Sequence, residues 1–322
     1  MTWGQQNTEA EGHQQMEYAL EQGVNFFDTA EMYSIPGKAE TYGATEKIIG
    51  SWFQKNNNRS QVVLASKIAG PGLAHIRTTG FSKEAITEAL HGSLNRLKTD
   101  YIDLYQLHWP ERPTNCFGVR EYPYHIDTQW EDNFAEVLET LNEFIKAGKI
   151  RHIGLSNESP WGTMRYLEES KQKGLPRMIT IQNAYSLINR SFEIGLSEVA
   201  LRENIGLLAY SPLSFGVLSG KYINEMPSDA RITLFSSYRR YSSPQSTKVV
   251  KKYLEVAEKH NLSLAQLSLA FVNQLPFLTS NIIGATKMSQ LKENIASIDI
   301  ELTSEIIKDI NEVHAANPNP AA

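Results

Sequence analysis

The sequence predicts an α/β protein in which βα units repeat around a parallel sheet, and three observations carry that prediction. Short apolar runs rich in β-branched residues alternate with longer stretches of helical periodicity along the chain. The first six apolar runs each end in polar residues, at the carboxyl side where parallel α/β proteins build their sites. Two segments too long for ordinary βα connections, 109–129 and 211–246, each follow such a run, which puts both on that same side.

Taken in order, strands are predicted at 25–28, 61–65, 101–107, 150–155, 178–182, 205–210 and 281–284, each bounded by turn or polar residues as suits a strand buried on both faces. Helices are predicted at 9–22, 45–55, 83–97, 130–147, 161–173, 191–203 and 264–274, with two more, 289–297 and 304–314, closing the chain. Ser82 has the position and chemistry of an N-cap. Gly148, Gly174 and Gly206 follow helical patterns where a left-handed glycine is expected. No linker divides the molecule, so the chain reads as a single domain, 1–322, with a tail from 315 whose last residues, 317–322, are expected to fray.

Composition limits the function classes. The net charge of −5 removes the electrostatic drive toward nucleic acid or an anionic membrane. The single cysteine, Cys116, excludes an internal disulfide and a cysteine-based zinc site, and fits a reducing cytoplasmic location. No apolar run approaches the ~20 residues of a membrane span, and the first residues lack the basic end and apolar stretch of a signal peptide. A monomer and a small homo-oligomer both remain open.

The polar strand ends are more informative. They present Asp28, then Ser66-Lys67, His108-Trp109, Ser156-Asn157, Gln182-Asn183 and Tyr210-Ser211. An Asp beside a Lys at a partly buried strand end forms an ion pair, and the ammonium, if near a phenol, favours phenolate. Tyr33 lies within loop reach of Asp28. A phenol so tuned can protonate a developing alkoxide while His108 hydrogen-bonds the same oxygen. That chemistry is carbonyl reduction, and because none of these side chains can donate hydride it implies a nicotinamide cofactor. Singly, each residue has an ordinary reading as a loop cap, solvated charge or half-buried ring; their joint placement carries the argument.

These residues resemble the aldo-keto reductases. Phe27-Asp28-Thr29-Ala30-Glu31-Met32-Tyr33, Ala65-Ser66-Lys67 and Asp103-Leu104-Tyr105-Gln106-Leu107-His108-Trp109-Pro110 are similar to the family's segments that carry a catalytic Asp, Tyr, Lys and His. The resemblance implies a (β/α)8 TIM barrel and a tetrad of Asp28, Tyr33, Lys67 and His108, with Tyr33 as general acid, Lys67 lowering its pKa, Asp28 holding Lys67, and His108 positioning the carbonyl. It further implies that Ser156, Asn157 and Gln182 hold the nicotinamide carboxamide and that Tyr210 stacks on the ring. Ser211, Pro212, Leu213, Gly216, Leu218, Gly220 and Lys221 would cover the pyrophosphate. Gly284, Thr286, Lys287, Gln290, Glu293 and Asn294 would form the adenosine site, where Thr286 and Lys287 at a helix N-terminus favour NADPH over NADH. No metal is implied.

Within the family, the insertion from Pro110 to Gly118 and the segment Asn189-Arg190-Ser191-Phe192-Glu193 resemble the bacterial Tas-like members. Trp109 and Phe117 are expected in the substrate pocket of a small carbonyl compound, with Cys116 an ordinary loop residue beside them. One departure stands out: the family's capping hairpin and first barrel strand are missing before Trp3-Gly4, in keeping with a count of seven strands. Two other functions stay open at this level. A regulatory protein could keep the nucleotide as a redox-sensing ligand with little turnover. A metal-dependent hydrolase could use Asp28 and His108, but the other strand ends lack the paired histidines or clustered carboxylates it needs.

Overall fold

The computed structural model describes residues 1–124, 130–235 and 237–321; residues 125–129 of the first long loop, Ser236 of the second and Ala322 of the tail lie outside the described residues. Seven strands, β1 (Phe26–Asp28), β2 (Val63–Ile68), β3 (Ile102–Leu107), β4 (Ile150–Ser156), β5 (Met178–Ala184), β6 (Gly206–Tyr210) and β7 (Leu278–Ile282), form one sheet in chain order. The β1–β2, β2–β3, β3–β4 and β6–β7 pairs are parallel. Among the described residues no strand precedes β1. The first residues instead form a turn, with the Thr2 carbonyl accepting from the amides of Gln5, Gln6 and Asn7.

The helices are α1 (Glu9–Glu21), α2 (Ala44–Asn56), α3 (Lys83–Leu97), α4 (Phe134–Lys146), α5 (Pro160–Lys173), α6 (Leu196–Arg202), α7 (Arg231–Leu234), α8 (Pro244–Lys259), α9 (Leu264–Asn273), α10 (Met288–Ala296) and α11 (Ser304–Ala316). Ser82 caps α3 as expected, its hydroxyl accepting from the Ala85 amide at 3.2 Å. Gly148 and Gly174 take the left-handed conformation that ends a helix, with φ of 71° and 64°.

Several boundaries differ from the sequence reading. The second strand runs on to Ile68 rather than stopping at Ala65, so Ser66 and Lys67 lie within it. The seventh starts at Leu278 and ends at Ile282, because Leu278, Ser280, Asn281 and Ile282 pair along β6, with Thr279 at a shift in the register. The helix expected over 191–203 breaks into a short 3-10 turn, Ser191–Glu193, and α6, with Gly195 at φ 101° between them. The fourth helix starts at Phe134, not Trp130. Gly206 is not a left-handed cap; Asn204 takes that role at φ 50°, and Gly206 opens β6 where a Cβ would fall 1.6 Å from Thr279 Oγ1. Within the predicted loop 211–246, the chain forms a 3-10 turn (Ser214–Ser219), α7 and the start of α8. The reading assigned no helix to α8, although Ser243 caps it and Val249, Val250, Tyr253, Val256 and Ala257 form its buried stripe.

By its internal packing the chain divides into two compact units. The first comprises Met1–Thr114, Pro123–Ile181 and Gly284–Met288. Its core sets Leu64, Ile68, Ile102, Leu107, Ile153 and Leu155 of the sheet with Trp52, Ile86, Leu90, Val137 and Leu138 of α2, α3 and α4, all buried. Each such aliphatic side chain contributes about 1.5–3 kcal/mol on burial. Asp103, near the start of β3, ties neighbouring strands together: one oxygen accepts from the Leu64 amide (2.9 Å) and Arg59 (2.7 Å), the other from Arg151 (2.7 Å).

The second unit comprises Asn115–Tyr122, Gln182–Ile283 and Ser289–Ala322. Leu207, Leu208 and Ala209 of β6 and Tyr253 of α8 are fully buried in it. The tail does not fray. The Arg190 amide donates to Asn319 Oδ1 at 2.6 Å, the Ala321 amide donates to the Ile188 carbonyl at 3.1 Å, and the Ala321 side chain is buried. Among the described residues no helix is long and apolar enough to cross a membrane.

Gly50, inside α2, lets that helix approach the end of α3: a Cβ there would lie 2.2 Å from the Arg96 carbonyl oxygen. Helix propensity alone would favour alanine by about 1 kcal/mol. Backbone cannot move aside as a side-chain tip can, so the overlap wins. Gly50→Ala is expected to lower stability by about 1–3 kcal/mol, measured by urea unfolding; a gain would show that the two helices separate freely.

Candidate active site

Three consecutive strands bring three polar side chains to one place in the first unit. Lys67, inside β2, is wholly buried, and its ammonium donates to Asp28 Oδ2 at 2.6 Å and to the Thr29 carbonyl at 2.7 Å. Gln106 on β3 is the register partner of Lys67 and donates from Nε2 to the other Asp28 oxygen at 3.1 Å. The two donors fix the carboxylate in place, and it holds the ammonium in return.

Around this pair stand the other two predicted catalytic residues. The buried Tyr33 has its ring centre 5.2 Å from Lys67 Nζ. The buried His108, just past β3, meets the Tyr33 ring edge-on at 5.6 Å. The structure therefore assembles Asp28, Tyr33, Lys67 and His108 in one cluster.

Burial treats the two bases differently. It lowers the pKa of Lys67, but the Asp28 carboxylate opposes the shift. His108 has no such partner: burial pushes it well below its ordinary value and the Lys67 charge pushes the same way. Its imidazole is neutral near pH 7, with one ring N–H to donate. Among the described residues, His108 Nδ1 has no hydrogen-bond partner.

A set of buried ion pairs that the sequence reading missed fixes the backbone around the cluster. Glu31 Oε1 accepts from the Ala69 amide and from Arg77, each at 2.7 Å, and Oε2 accepts from Tyr42 at 2.9 Å. The Glu31 amide donates to the Lys67 carbonyl at 3.2 Å, so the loop carrying Tyr33 is pinned to the end of β2. Burial and the Glu31 charge push the Tyr42 phenol up to about 12. Glu46 on α2 accepts from Ser66 at 2.6 Å and from Arg96 at 2.7 Å. Glu31 and Gln106 sit inside the very segments that suggested the tetrad; a charged or amide residue in a run otherwise destined for the core was the available signal.

The expected nucleotide residues fall in both units. In the first, Ser156 ends β4 and Asn157 follows at φ 53°, its amide donating to the His108 carbonyl at 2.8 Å and to Ser156 Oγ at 3.1 Å. Gly284 is exposed, and Thr286 and the exposed Lys287 immediately precede α10; the Thr286 carbonyl accepts from Asn7 at 2.9 Å.

In the second unit, Gln182 lies buried in β5 and Tyr210 ends β6. The Tyr210 hydroxyl accepts from Arg240 at 3.3 Å, and burial raises its pKa above the usual phenol value. Ser211, Pro212 and Leu213 lead into the 3-10 turn that holds Gly216 and Leu218, with Gly220 and Lys221 behind it. Gly216 takes φ 89°, the conformation that favours glycine, and Lys221 Nζ lies 3.0 Å from where a Cβ would stand. Glycine thus lets an ammonium lie against exposed backbone, a cradle suited to a phosphate. On α10, Glu293 accepts from Ser263 at 2.6 Å and Asn294 is buried; Gln290 is half-buried.

Of the two expected substrate-pocket residues, Trp109 packs its indole on Gly70, donates to the Pro71 carbonyl at 3.2 Å and meets the His108 ring at a tilt, 5.0 Å between centres. Phe117, in the second unit, is 49% exposed at φ 54°. Cys116 beside it is half-buried.

Comparison with known proteins gives a consistent result. The Aldo/keto reductase family matches residues 1–315. "Protein tas" of Escherichia coli (strain K12) is 48% identical over 326 residues, covering 100% of this chain and 94% of that protein. An "Aldo-keto reductase" of Babesia bovis is 38% identical, covering 79% of this chain and 96% of its own. The "Uncharacterized oxidoreductase YrpG" of Bacillus subtilis (strain 168) is 31% identical, covering 97% and 90%.

The neutral state of His108 has a consequence for stability. With a folded-state pKa below the ordinary 6.5, the unfolded chain binds this proton more readily than the folded one. Stability from keeping the ring neutral is present above about pH 6.5 and is lost as pH falls toward the folded-state value, with a limiting slope of about 1.4 kcal/mol per pH unit. His108→Gln is expected to flatten the loss of stability between about pH 6.5 and 5. Parallel unfolding profiles for the two proteins would show that the ring titrates alike in both states.

Proposed function

We propose, for a chain that belongs to the aldo/keto reductase family and is an oxidoreductase of that class, that it reduces aldehydes or ketones to alcohols with NADPH, Tyr33 supplying the proton. The observation that carries this reading is the fully buried Lys67 ammonium, held by Asp28 on one side with the Tyr33 ring on the other. A fixed positive charge beside a phenol lowers the cost of losing its proton, which is what a general acid at neutral pH requires. His108, neutral and within ring contact of Tyr33, donates an N–H to the same carbonyl oxygen and so orients the substrate. Asp28 and Gln106 keep the ammonium in place, and the Glu31–Arg77 pair holds the loop that carries Tyr33.

When bound, the reduced nicotinamide supplies the hydride that no side chain of the cluster can provide. The residues present suit the nucleotide: Asn157 is already tied to His108, and the Gly216–Lys221 cradle has the charge and exposed backbone that a pyrophosphate needs. We assign Ser156, Asn157 and Gln182 to the carboxamide, Tyr210 to the ring face, Ser211, Pro212, Leu213, Leu218 and Gly220 with the cradle to the pyrophosphate, and Gly284, Thr286, Lys287, Gln290, Glu293 and Asn294 to the adenosine end. Trp109 and Phe117 are assigned to the substrate side. The single cysteine fits action in a reducing cytoplasm.

Two substitutions test the assignment. Tyr33→Phe removes only the phenolic proton, so kcat for a reactive aldehyde should fall about 10²- to 10⁴-fold while NADPH affinity stays close to wild type. Turnover that survives in this variant rules Tyr33 out as the acid. Lys287→Ala should weaken NADPH by about five- to tenfold and NADH much less, read by fluorescence titration. Equal losses would move the 2′-phosphate elsewhere.

A further inference from the structure

The second unit contains a cavity of about 550 Å³ that no part of the proposed reaction uses. It lies among the Gly118–Arg120 loop, Arg240, the first turn of α8 and the docked tail, and its polar lining comes from Arg120, Arg240, Ser243, Gln245, Asn317 and Asn319. Its volume falls in the range of small-molecule sites.

The charge balance of this lining is one-sided. Among the described residues no carboxylate lines the cavity. Four buried or half-buried arginines elsewhere are matched by carboxylates: Arg59 with Asp103, Arg77 with Glu31, Arg96 with Glu46, Arg112 with Glu158. Arg120 and Arg240 have no acidic partner among the described residues. Arg120 donates to the Asn319 carbonyl at 3.1 Å, and Arg240 donates to the Tyr210 hydroxyl at 3.3 Å, both neutral acceptors. The Nε of Arg240 is buried with no hydrogen-bond partner among the described residues. Two guanidinium groups, each carrying five donors, are thus left with donors to spare around one hollow. The N-terminal turn of the 16-residue α8 adds its positive end on the same wall.

We propose that this cavity binds a small oxyanion, a carboxylate or phosphate group held between Arg120 and Arg240. Forked guanidinium donors suit the planar or tetrahedral oxygens of such groups, and the amides of Gln245 and Asn317 complete the lining. The occupant's contact with Arg240 bears on Tyr210, because the same guanidinium holds the Tyr210 hydroxyl. The anion has two possible sources: the acid group of a carbonyl substrate, or a free anion that acts as an effector.

The test is calorimetric titration of the full chain with inorganic phosphate and with succinate, at low and at physiological salt. A saturable site is expected that is weakened at least about tenfold in Arg240→Gln and in Arg120→Gln and is unchanged in Lys287→Ala. Arg120 is exposed, so its variant keeps the fold even if Arg240→Gln does not. Absence of binding, or binding that Lys287→Ala removes and Arg120→Gln leaves intact, overturns the proposal.

A second arm separates the sources and alone rests on the reductase reading. It compares kcat/KM for an aldehyde ending in a carboxylate with that for an aldehyde of equal length ending in a methyl group. A preference for the acid that Arg120→Gln abolishes identifies the substrate's own acid group. Phosphate binding without such a preference identifies a free anion. Anion binding by a chain that turns over neither aldehyde leaves the cavity assigned and removes the reductase reading instead.

Discussion

A charged ammonium with no exposure to water is the constraint on which the rest of the site depends. Removing Lys67 from solvent costs several kcal/mol, and the fold must return that cost locally. It does so with one carboxylate and one carbonyl in direct contact. The carboxylate is then held by an amide from the next strand, and the backbone around both is fixed by a second buried carboxylate, Glu31, shared among an arginine, a tyrosine and a main-chain amide. Each layer exists because the layer inside it would otherwise be unsatisfied.

The same burial acts on two bases and is opposed at only one. At Lys67 the Asp28 carboxylate works against the lowering; at His108 the Lys67 charge adds to it. Desolvation disfavours the charged form of both. Placement of a single carboxylate therefore sets the two bases apart. Asn157 extends this order to the following strand by gripping the His108 carbonyl, so the histidine is positioned from its backbone as well as its ring.

How much of this was legible in the sequence follows from what each residue type reports. The strand ends could be read because the alternation of apolar runs and helical patterns sets the phase: Asp28 ends β1, Lys67 is the next-to-last residue of β2 and His108 directly follows β3. Gln106 could be marked only as an amide in a core run: every residue of β3 is buried, so the pattern does not say which side chain faces the cluster. Arg77 and Arg96 reach their carboxylates through loop and helix geometry that no local rule fixes. The α8 helix is a different case, since its cap, its proline and its apolar stripe are all present, and the aromatic, glycine-rich stretch before it drew its first turn into a loop. The polar run of β7 hid a strand, and Gly206 offered a helix cap when its real task is to let β7 come close.

Because the cluster is drawn from consecutive strands, its assembly is tied to the order of synthesis. Asp28 and Lys67 lie 39 residues apart and Asp28 and Gln106 lie 78 apart, so each contact closes one more βα unit rather than a loop across the whole chain. The entropy of closing such loops grows only slowly with length, and domains form from their N-terminal parts as they emerge. Once the third strand has left the ribosome, every group needed to neutralise the Lys67 charge is available. The nascent chain never has to shelter a lone buried ammonium while it waits for residues still to be made.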